Sequence, residues 1–60
     1  MDAHKIYERL ITRAAGRVGG IEALAERLQL SRSMLLEWRD GHETPDMATV
    51  LRILEIVLDG

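Results

Sequence analysis

The chain has no cysteine among its 60 residues, which excludes a disulfide staple and a thiolate-bound metal. A metal set of another kind is also missing, because His4 and His42 stand far apart without a carboxylate pair at ligand spacing. No apolar run approaches the roughly 20 residues that span a bilayer. No basic start, apolar core and small-residue cleavage site marks a secretory leader. No nucleophile stands beside a base and no phosphate loop is present, so the residues offer no catalytic set. The expectations are a cytoplasmic protein that is not an enzyme, with no cofactor, metal, membrane partner or small-molecule substrate.

Positive charge is scarce as well. The formal net charge is −2, whereas phosphate neutralisation supplies most non-specific affinity for nucleic acid. Its distribution is uneven. Residues 1–20 hold Lys5, Arg9, Arg13 and Arg17 against Asp2 and Glu8, a balance of +2. Residues 21–40 hold three arginines against four acids, and residues 41–60 hold Arg52 against Glu43, Asp46, Glu55 and Asp59. Positive charge therefore sits at the front and negative charge at the back.

What the chain does have is apolar periodicity. A single domain over residues 1–60 buries only about 60 % of its unfolded surface, so helix packing or self-association must supply the stability. Ala3, Ile6, Tyr7, Leu10, Ile11, Ala14, Ala15 and Val18 form one amphipathic stripe, which predicts a helix over 3–18 with Asp2 as its N-cap. Gly19-Gly20 allows a stop and a reversal. A short helix over 21–28 follows, with Ile21, Leu24, Ala25 and Leu28 on one face. Ser31 is a good N-cap for the next helix, which runs to about Asp40 with Leu35 and Trp38 inward and stops before Gly41. Asp46, after Pro45, caps a last helix whose core residues are expected to be Met47, Val50, Leu51, Leu54 and either Val57 or Leu58. Four or five helices with short connections make a compact all-α bundle.

The segment over about 21–40 is two short helices joined by about three residues, the arrangement of a helix-turn-helix. Leu24-Ala25-Glu26-Arg27-Leu28-Gln29-Leu30-Ser31-Arg32-Ser33-Met34-Leu35-Leu36-Glu37-Trp38-Arg39-Asp40-Gly41, followed by Pro45 and an apolar helix, resembles the Cro/phage-repressor helix-turn-helix family, the lambda-repressor-like DNA-binding domains. The resemblance covers about residues 19–57. It implies a sequence-specific DNA-binding regulator of bacterial or phage type whose second helix enters the major groove of duplex DNA. It maps base contacts onto Arg32, Ser33 and Glu37, and it places Ser31 near a phosphate. Arg32 suits guanine O6 and N7, Ser33 can donate or accept, and Glu37 can accept from cytosine N4.

Lys5, Arg9, Arg13 and Arg17 recur every four residues as a basic stripe on the first helix, and Arg13 and Arg17 are expected at flanking phosphates. His42, just past the reading helix, is the remaining candidate phosphate contact. The sequence also departs from the family. Gln29 stands at the turn where the family usually has glycine, and residues 31–40 are neutral overall, with Arg32 and Arg39 against Glu37 and Asp40. Met34, Leu36, Ile53 and Ile56 are surplus apolar residues, expected to form a dimer or partner surface. A homodimer would present two reading helices to half-sites roughly 34–36 Å apart. The competing reading is a protein-interaction module on the same scaffold, anchored by Met34 and Leu36, with weak or no DNA binding.

Overall fold

The structure is a computed structural model that describes residues 3–59 and the side chains of residues 5–59. The described residues form helices α1 (Ala3–Val18), α2 (Ile21–Leu28), α3 (Arg32–Asp40) and α4 (Met47–Leu58), with no strand among them. The domain measures 26 × 22 × 19 Å. No helix among the described residues is long and apolar enough to cross a membrane. The expected cap Asp2 lies outside the described residues.

The organising element is α1, the one helix that packs extensively against all three others. Ile11 and Ala14 are fully buried on its inner face, where they meet Leu24, Ala25 and Leu28 of α2, Leu35 and Trp38 of α3, and Ile53 of α4 in one apolar cluster. Ala14 and Ala25 are small, which lets neighbouring helices approach closely. Each buried aliphatic side chain stabilises the fold by roughly 1.5–3 kcal/mol. Leu10, Ala15, Val18, Ile21 and Leu30 pack around the cluster as a half-buried rim.

Helix ends fall where the local chemistry requires. The amides of Gly19 and Gly20 both bond the Ala15 carbonyl, at 3.0 and 2.8 Å. Gly20 then adopts φ 136° and ψ 171°, a conformation essentially confined to glycine. Asp46 stands at the N-cap position of α4 but makes no side-chain cap bond to a backbone amide; its carboxylate instead accepts a hydrogen bond from the Thr49 hydroxyl, which lowers its pKa from the ordinary 3.8.

The rotation of α4 differs from the expectation. Ile53 is 1 % exposed, and Ile56 and Val57 pack against the cluster, so Ile53 offers no surface to a partner and Ile56 only part of one. Met47 and Leu51, expected in the core, are instead exposed, as is Leu58; Val50 and Leu54 are half-buried. The cause is that apolar residues occupy more than half of this helix's circumference. The sets 50/53/57 and 47/51/54/58 both satisfy a 3.6-residue period, and docking on α1 selects the first.

Two predictions follow from these environments. Ile53→Ala should cost about 2–5 kcal/mol in urea unfolding and Leu51→Ala far less, the reverse of the order expected from the sequence. Because the Asp46 pKa is depressed on folding, its carboxylate stabilises the fold above the unfolded pKa, and that stabilisation is lost as pH falls through the folded value. Asp46→Asn should therefore flatten the acid limb of a melting-temperature profile recorded below about pH 5.

Candidate nucleic-acid interface

The candidate surface is built on the link between α2 and α3. Gln29 ends α2 in the left-handed conformation, with φ 58° and ψ 42°. Its amide bonds the Glu26 carbonyl at 3.1 Å, and the Leu30 amide bonds the Ala25 carbonyl at 2.9 Å. This is a Schellman closure of the helix. Leu30 then tucks against the core, and Ser31 turns extended to begin α3. The Ser31 hydroxyl accepts from the Met34 amide at 3.2 Å, the N-cap bond expected from the sequence. Among the described residues the amides of Arg32 and Ser33 have no acceptor. A helix start with free amides carries positive partial charge that favours an anion.

With Leu35 and Trp38 buried, a 100° step per residue turns Ser33, Leu36, Glu37 and Asp40 outward and sets Arg32 and Met34 on opposite flanks. Ser31, Arg32, Ser33 and Glu37 are exposed, so the structure brings three of the expected contacts together at the helix start and Glu37 one turn on. Met34 is 41 % exposed, while Leu36 is only half-exposed. Arg32 has no ion-pair partner among the described residues. Arg39 is engaged, its Nε lying 3.3 Å from Asp40 Oδ1.

The other expected phosphate contacts sit elsewhere. His42 is exposed at the far end of α3, where its amide bonds the Glu37 carbonyl at 2.9 Å and helps close the helix. A nine-residue helix puts roughly 14 Å of rise between the two ends. Arg13 and Arg17 are both exposed on α1. A four-residue repeat drifts about 40° per step, so the stripe from Lys5 to Arg17 turns through about 120°. Its last member, Arg17, lines a surface groove with Val18, Arg27, Ile56 and Asp59, none of them from α3. An adjoining groove adds Arg52 and Glu55, so Arg17, Arg27 and Arg52 form a mixed-charge edge with Glu55 and Asp59 between α1, α2 and α4. Sequence reading missed this edge because its arginines come from three helices and share no spacing.

No protein-family pattern, curated protein or solved structure matches the chain.

The turn makes a direct prediction. A non-glycine residue at positive φ costs roughly 1–2 kcal/mol, part of which glycine returns as greater freedom in the unfolded chain. Gln29→Gly should therefore raise stability by about 0.5–1 kcal/mol in chemical denaturation and leave the α3 surface unchanged.

Proposed function

We propose that the domain is a sequence-specific regulator of bacterial or phage type that binds duplex DNA through a helix-turn-helix formed by α2, Gln29-Leu30-Ser31 and α3. The observation that carries this reading is the start of α3. Its Ser31 cap, two acceptor-free amides and the unpaired Arg32 guanidinium face solvent together. A phosphate can take the amides and the hydroxyl, and Arg32 can reach the O6 and N7 acceptors of guanine. Ser33 and Glu37 extend the reading face along the helix. Glu37 then discriminates, accepting from cytosine N4 and repelling other placements. Arg13 and Arg17 would act at backbone phosphates, where they contribute affinity without sequence information, whereas His42 lies beside Asp40 and Glu43 at the acidic far end of α3 and is left out of the contact.

A second reading has its own support. The outward face of α3 carries Glu37 and Asp40 near exposed Met34 and half-exposed Leu36. That mixture suits an apolar protein contact with an acidic rim, in which case the scaffold docks a protein partner in place of DNA.

Salt separates the two. Labelled duplex DNA of random sequence should bind at micromolar protein in about 50 mM salt and release steeply by about 200 mM. Binding absent at both concentrations supports the protein-docking reading. On a selected operator, Arg32→Ala should cost roughly 1–3 kcal/mol and relax preference at one base pair. Unchanged operator affinity in that variant would contradict the placement of α3 in the groove.

A further inference from the structure

Met47, Leu51 and Leu58 of α4 are 71, 53 and 80 % exposed, with half-buried Leu54 between them. Successive spacings of four, three and four residues align these side chains in one row along the helix. No charge interrupts the row. Ala48, Arg52, Glu55 and Asp59 lie together along one side of it, while Val50, Ile53 and Val57 turn into the domain on the other. Contiguous apolar rows of this kind are unusual on a monomer's surface. We propose that this row docks a second copy of the chain, α4 against α4, antiparallel about a two-fold axis.

The row itself selects the second copy. Its spacing reads the same in both directions, so a two-fold axis between Leu51 and Leu54 sets Met47 opposite Leu58 of the second copy. The same operation sets Leu51 opposite Leu54. Every member of the row is matched, as an isologous contact requires. Charge agrees with this register. Arg52 and Glu55 are exposed and without ion-pair partners among the described residues. In the antiparallel pair, Glu55 lies two residues of rise, about 3 Å, from the level of Arg52 of the second copy on the same side. The two-fold axis repeats that pair. A parallel pair would instead set Glu55 against the side that carries Val50 and Val57.

Area sets the strength. A standard interface covers about 800 Å² on each partner, close to a fifth of this chain's 4214 Å². One row on a helix about 18 Å long covers on the order of half that area, which places the contact among the small, weak interfaces. The contact forms whether or not the domain binds DNA, and it is tested without DNA.

Sedimentation equilibrium of the full chain, from about 10 µM to about 1 mM, should show monomer passing into dimer. Leu51→Glu should remain monomeric throughout with unchanged helical circular dichroism. If that variant loses its helicity, Leu58→Lys serves at a position still more exposed. A wild-type monomer at the highest concentration, assembly beyond the dimer, or undiminished association in the folded variant would each overturn the proposal. Orientation is read by mild oxidation of mixed M47C and L58C chains. The antiparallel contact yields mainly the mixed disulfide, and a preference for like pairs would overturn it.

Discussion

The structure depends on one constraint: a single helix of sixteen residues must satisfy the apolar faces of three others. Fully buried Ile11 and Ala14 on α1 meet side chains from every other helix, so the buried apolar side chains among the described residues form one shared cluster. The positions of α2, α3 and α4 are set relative to α1 more than to one another. A chain of this length has little apolar area to spare, and losing one large buried side chain removes a sizeable part of the total stability.

That arrangement frees the outer faces of α3 and α4 for separate work. Leu35 and Trp38 anchor α3 by one side, so its start can present Ser31, Arg32 and Ser33 without weakening the core. Ile53 anchors α4, leaving Met47, Leu51 and Leu58 uncovered. Charge is divided along the same lines. The start of α3 is cationic through Arg32 and the helix amides, while its far end carries Asp40 and Glu43, with Arg39 drawn into a pair with Asp40. A polyanion would therefore be accepted at one end of α3 and resisted at the other. On the proposed reading, this polarity would orient a DNA duplex despite the negative net charge.

Local signals carried most of the fold into the sequence. The glycine pair, the Ser31 cap, the stop at Gly41 and the Leu35/Trp38 spacing each act over four residues or fewer, and the structure places each as expected. Gln29 itself carried no local signal for the positive φ it adopts; only the glycine usual at that place in the resembled family pointed to it. The rotation of α4 was not legible. A helix apolar around most of its circumference offers two equally periodic faces, and only tertiary docking distinguishes Ile53 from Leu51. The convergence of Arg17, Arg27 and Arg52 was hidden for a related reason, since no spacing rule links residues on three different helices.

The central claim is that the start of α3 is the surface that meets duplex DNA. Amide chemical-shift mapping of the ¹⁵N-labelled chain with a short duplex at low salt tests it most directly. The account predicts the largest shifts at Ser31, Arg32 and Ser33, smaller ones at Glu37, and little change at Met47, Leu51 and Leu58. Shifts centred on α4, or none anywhere on α3, would contradict it.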